Sequence, residues 1–251
     1  MELNEIFGLI ITIASLLIAY LVYRISVRTH LSTKGNQDLA VYKTFIYEGY
    51  IEGGFSPEFK LSIDQKEYGY REARSKALKS YFVDSCAWRE SSSIGSIGTE
   101  TSWPWENQIA YHTADSLQNL GLSVISGSVP AGLVLISVSD SIIDDWLICK
   151  DWIKSYRDVE SVHRLDSTEE LGFTSFHRRH AEWIVLLAVL WMKKNWKYKN
   201  ADLVIELYSD DGSGLSIMKN RFLEICQQDK VLMNVITRQE IKALIGINVP
   251  K

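Results

Sequence analysis

Residues 6–23 carry no charged side chain, and this run at the start of the sequence constrains the fold more than any other feature. As a helix rising about 1.5 Å per residue, 18 residues reach roughly 27 Å, close to the thickness of a bilayer's hydrocarbon core. Signal peptides open on positive charge and close on small residues. This segment instead opens with Glu2 and Glu5 and passes through Tyr20 and Tyr23 into Arg24 and Arg28. It therefore reads as a retained transmembrane anchor, with residues 1–5 as a short tail. Arg24, Arg28 and Lys34 all follow the run, so the bias of basic residues toward the cytoplasm predicts that the bulk of the chain lies inside. Gly8, Thr12, Ser15 and Ala19 recur at spacings of four, three and four, a small-residue face that suits self-association of the anchor.

The averages hide this segment. With 46% hydrophobic and 23% charged residues, the 251-residue chain is not a mostly disordered, collagen-like or many-span protein. Cys86, Cys149 and Cys226 are far apart, odd in number and free of CxxC spacing, which fits a reducing compartment and no disulfide scaffold. A formal charge of -4 argues against general nucleic-acid binding, and no direct nucleic-acid partner is expected.

Beyond the anchor the periodicity predicts a mainly α protein, with a linker at residues 24–40 and a helical domain at 41–251. Residues 41–55 suggest a short helix ending at Gly53 and Gly54. Ser56 and Pro57 resemble a helix cap with proline in the first turn, and the helix is expected to run to about Glu90, with Tyr70, Ala73, Ala77, Tyr81 and Trp88 on one face. Residues 91–104 read as a Ser/Gly-rich loop.

Residues 116–139 form a second uncharged run. Its length suits a second membrane segment. Gly127 and Pro130 instead split it into halves too short to span, as a buried helix-turn-helix corner would require, and basic residues on both sides oppose a single crossing. Both readings stand at this point. Next, Ile142, Trp146, Cys149, Ile153 and Tyr156 form the packing seam of a helix, with Asp144, Asp145, Lys150, Asp151 and Lys154 expected outside it. The apolar residues 183–192 are too few to span. They fit a core helix or, with Trp183, Trp191 and Trp196 beside Arg178, Arg179, Lys193, Lys194, Lys197 and Lys199, a helix lying on an anionic inner leaflet. Residues 203–208 read as a short strand or helical turn, Ser209 opens a loop, and two helices close the chain, the last from near Thr237.

Residues 117–157, an apolar helix, a glycine-centred break, a second apolar helix and a Trp-bearing helix ending at Arg157, resemble the central part of a group of bacterial membrane-anchored helical proteins of unknown function. That build is similar to the transmembrane effectors of phage-defence systems, including those attached to retrons. The resemblance implies location in the cell inner membrane, a role in antiviral defence and a sensor protein as partner. It supplies no catalytic residues.

Chemistry-bearing motifs are sparse. Arg157 and His163 match the Arg-x5-His spacing of helical-bundle ribonucleases, in which both side chains act on the scissile phosphate, but Arg24 and His30 match it too. His177 and His180 sit three apart as metal ligands do, and Glu160 with His163 forms a single ExxH where di-metal bundles use two. His112 and Asp115 share a helix face, and Asp210-Asp211-Gly212 resembles a fragment of a calcium loop. GxxxxGK[ST], HExxH and GxSxG do not occur. No metal or cofactor is expected. The reading is of a non-enzymatic membrane-anchored effector acting on the bilayer. The alternatives are a membrane-tethered interaction or scaffold module and a helical ribonuclease.

Overall fold

The computed structural model describes residues 3–93, 103–165, 178–209 and 212–251, with side chains at 18–93, 103–158, 178–209 and 212–251. It is 77% helical, which places the protein in the mainly α class. Two compact units are present, Met1–Thr44 and Phe45–Lys251.

The first unit is one helix, α1 (Leu3–Val41). Residues 24–40, expected as a linker, are themselves helical: they hold no proline and one glycine, Gly35, so nothing stops propagation from the apolar run. Ile18, Tyr20, Leu21, Val22, Tyr23 and Ile25 are 55–67% exposed. At 100° per residue these positions point around the whole circumference rather than along one stripe. Among the described residues no helix is long and apolar enough to cross a membrane, the side chains of residues 6–17 lying outside that description.

A π-helix (Tyr42–Glu52) follows. The second unit then departs from expectation, because a hairpin of β1 (Leu61–Ile63) and β2 (Lys66–Tyr68) occupies residues predicted to be helical. Asp64 and Gln65 both take positive φ, the geometry of the two-residue turn that matches strand twist. Leu61 and Ile63 point inward and Ser62 outward, the alternation of a half-buried strand. Helix α2 (Tyr70–Val83) starts well after Pro57, and Asp84 caps α3 (Ser85–Ser92) by accepting from the Cys86 and Ala87 amides. Most of the expected loop at 91–104 lies outside the described residues.

The core is built from α4 (Trp105–Ile125), α5 (Ala131–Leu165) and α6 (Arg179–Asn195), which pack on one another. The uncharged stretch 116–139 is shared between α4 and α5, with Gly127 at φ 78° in the turn and Leu117, Leu120, Val124, Val134 and Leu135 fully buried. Helix α5 bends at Val138, whose φ and ψ (-142°, 16°) leave the helical region. In α6 every residue from His180 to Met192 is buried. The α4–α6 approach depends on Gly121, where a Cβ would sit 2.1 Å from the His180 carbonyl oxygen. Helices α7 (Lys199–Glu206), α8 (Gly214–Gln228) and α9 (Val235–Ile245) complete the unit. Of residues 203–208, where the sequence allows a strand or a helical turn, 203–206 are helical and 207–208 form a turn, and the last helix starts two residues before Thr237.

Candidate functional site

Among the described residues three carboxylates are almost completely buried: Asp145 on α5, Glu182 on α6 and Asp229 after α8. An isolated ionised carboxylate inside a protein costs far more than one in water, so each should carry its own cations or donors. All three do, and the partners come from other elements.

Asp145 accepts from the Tyr50 hydroxyl at 2.5 Å and from Arg74 Nε, and Arg74 also donates to the Ser141 carbonyl at 3.1 Å. Burial pushes the Asp145 carboxyl above its ordinary range while Arg74 and Tyr50 pull it down. Burial likewise raises the Tyr50 phenol, with the Asp145 charge adding to it. This corrects the expectation that Asp145 lies outside the α5 seam. Lys150 also departs from the wet side, its side chain only 11% exposed and bonded to Asp151 at 2.7 Å. Its ammonium is held below the usual lysine range by burial. A continuous buried face from Ile142 to Ile153 is wider than the seam and takes in Asp145.

Glu182 is shared by two arginines. Its Oε2 accepts from Arg157 at 3.1 Å and Arg221 at 3.2 Å, while Oε1 accepts from Arg221 Nε at 3.2 Å and the Tyr208 hydroxyl at 3.3 Å. Asp229 receives Arg179 in a two-pronged pair at 2.9 Å and lies 3.1 Å from His180 Nε2. Gln118 completes this arrangement: its carbonyl oxygen accepts the His180 and Ala181 amides at 3.0 and 3.1 Å, and its amide nitrogen lies 2.8 Å from His180 Nδ1. With Gln118 donating to Nδ1 and Nε2–H donating to Asp229, the network fits neutral His180. Burial depresses the imidazole below its ordinary value, and Asp229 opposes that shift. Arg178, whose φ is 56°, donates to Asp115 at 2.5 Å and covers the Tyr111 ring. The first turn of α6 is thus locked to α4, α5 and α8.

A cleft of about 400 Å³ opens beside Glu182, lined in part by Arg89, Trp146, Lys150, Lys154, Arg157 and Tyr208. Its charges are largely matched internally, Lys150 to Asp151 and Arg157 to Glu182.

Of the sequence candidates, Arg157 is engaged by Glu182, while His163 belongs to α5 but its side chain lies outside the described residues, as does that of Glu160. His177, Asp210 and Asp211 also lie outside them. His180 faces Asp229 and Gln118, and His112 packs edge-on against Phe59 with ring centroids 4.6 Å apart. Among the described residues no group of three His, Cys, Asp or Glu side chains could hold a metal ion. The buried carboxylates escaped sequence reasoning. Glu182 left one signal, a lone acid at the head of an apolar run, and Asp145 left none.

Comparison with protein families, curated proteins and solved structures finds no match to the chain. The fold and its sites thus define a mainly helical protein whose core polar groups join helices to one another.

Proposed function

We propose that the protein is a non-enzymatic helical module tethered to the bacterial inner membrane, with residues 6–23 as the anchor, residues from 24 onward in the cytoplasm and Phe45–Lys251 as the partner-binding part. One observation carries this reading: the apolar side chains of α1 from Ile18 to Tyr23 are exposed on all sides of the helix, an arrangement that water disfavours and lipid suits. Burial of the 116–139 run and of α6 in the core favours a domain that acts folded. The test is fractionation with thiol labelling. The full chain should pellet with membranes, and replacing Ile10 and Leu16 with lysine should release it. Cys86, the exposed thiol, should react with an impermeant maleimide only after permeabilisation. Recovery of the unaltered chain in the soluble fraction, or labelling of Cys86 in intact cells, sinks the proposal.

A second reading, an effector that damages the inner membrane in phage defence once a sensor releases it, rests on α6. That helix buries thirteen consecutive residues and is held at its first turn by the Glu182 and Asp229 ion pairs, contacts that a partner could exchange. Overexpression should then collapse membrane potential. Growth arrest with potential intact excludes it.

A further inference from the structure

The last turn of α6 and the connector into α7 do not share the burial of the rest of α6. Residues 193–199 read Lys-Lys-Asn-Trp-Lys-Tyr-Lys: four cations in seven positions and no acid. Residues 193–197 are exposed, and Trp196 is 65% exposed although it is one of the largest apolar side chains in the protein. Its indole stacks on the buried Trp191 ring, centroids 6.3 Å apart, which holds its orientation. Lys193 pairs with Asp202 at 2.7 Å and Lys194 reaches the Leu244 carbonyl at 3.2 Å, so the last turn of α6 is held against α7 and α9. The expectation of a whole helix lying on a leaflet is corrected by the burial of α6, yet the aromatic and basic residues that prompted it remain at the surface.

We infer that residues 193–199 form a second membrane contact, in which Trp196 enters the headgroup region of an anionic leaflet and Lys193, Lys194, Lys197 and Lys199 attract its lipids. An amphipathic indole is favoured at a membrane interface, and a cluster of four basic residues next to it complements anionic headgroups. The inference rests on the tethered reading, since an anchor would keep the domain beside a leaflet.

Among the described residues another exposed apolar patch competes for this role: Val231 and Leu232 after α8 with Val235 and Ile236 at the start of α9. It lies at the opposite end of α9, whose eleven residues rise about 16 Å. The Lys194 contact is near the C-terminal end of that helix and the aliphatic patch at its N-terminal end, so probes at the two places report on separate contacts.

The test uses the full chain with Cys86→Ser, reconstituted into phosphatidylcholine vesicles with or without phosphatidylglycerol. An environment-sensitive fluorophore is placed on Asn195→Cys, Val231→Cys or Ile18→Cys, with nitroxide-bearing lipid as quencher. Quenching is expected at position 195 in anionic vesicles and absent at 231. Each Lys→Gln change at 194 or 197 should reduce the docked-to-undocked ratio about fivefold, and Trp196→Ala should weaken docking in both lipids. Quenching at 231 in place of 195, or at 195 equally in neutral vesicles and without loss on lysine removal, overturns the inference. No quenching at 195 also overturns it and leaves the patch to an acidic protein partner. The probe at 18 keeps the two proposals apart: quenching there without quenching at 195 preserves the anchor alone, and quenching at 195 without it preserves the docking patch alone.

Discussion

The Tyr50 hydroxyl and the Asp145 carboxylate meet at 2.5 Å inside the helical domain, 95 residues apart in sequence. With Arg74 on the other carboxylate oxygen, they join the π-helix, α2 and α5 through one buried charge. Removing the carboxylate leaves Arg74, its side chain only 16% exposed, without its ion-pair partner. Asp145→Ala is expected to destabilise the domain by about 3–5 kcal/mol. Replacing both Arg74 and Asp145 with leucine should recover a large part of that loss. Denaturant unfolding of the full chain in detergent, followed by circular dichroism, measures both. A single-mutant loss below about 1 kcal/mol would show that the pair is not a strut.

Gly121 makes a steric prediction. A methyl group there would meet the backbone of α6 at the His180 carbonyl, and backbone cannot rotate away as a side chain can. Gly121→Ala should cost about 1–3 kcal/mol despite the higher helix propensity of alanine. An unchanged or raised melting temperature contradicts the close approach of α4 and α6.

His180 predicts a pH dependence. Burial lowers its folded-state pKa, with Arg179 adding to the decrease and Asp229 opposing it, while the unfolded chain titrates near about 6.5. Below that value the unfolded state binds more protons than the folded one. The stabilisation from neutral His180 is therefore complete above about pH 6.5 and is lost as pH falls through the folded pKa. The slope from this group stays below about 1.4 kcal/mol per pH unit. Melting curves between pH 7.5 and 5.5 should show it, and His180→Gln should remove it. An identical slope in that variant assigns the dependence to other groups.

The thiols should separate by accessibility. Cys86 is exposed, whereas Cys149 and Cys226 are buried, and burial raises both of their pKa values, Cys226 to about 11. A disulfide reagent at pH 8 should modify one thiol quickly in the folded protein and three after denaturation. Fast modification of a second thiol in the native state would contradict the packing of α5 or α8.

Helices were legible where a period of three to four stood out locally. The Ile142–Tyr156 seam has its members buried or half-buried on α5, and Gly127 does lie in a turn. The hairpin at residues 61–68 was not legible because three-residue strands offer too little alternation to outweigh a proline at 57. The continuation of α1 is hidden for another reason: residues 24–40 are polar like a linker, although polarity alone does not end a helix.

The candidate site was almost invisible. Sequence spacing singled out Arg157 but could not supply its partner, since Glu182 lies 25 residues away across a different helix. The sequence alone determined the uncharged N-terminal run, the helical periodicities and the basic, Trp-bearing stretch at 193–199. Only the tertiary structure decided that Asp145, Glu182 and Asp229 are buried and paired, and that α6 is interior while Trp196 is not. Helix formation depends on neighbours three and four residues apart, whereas desolvation of a charge depends on which distant elements close over it.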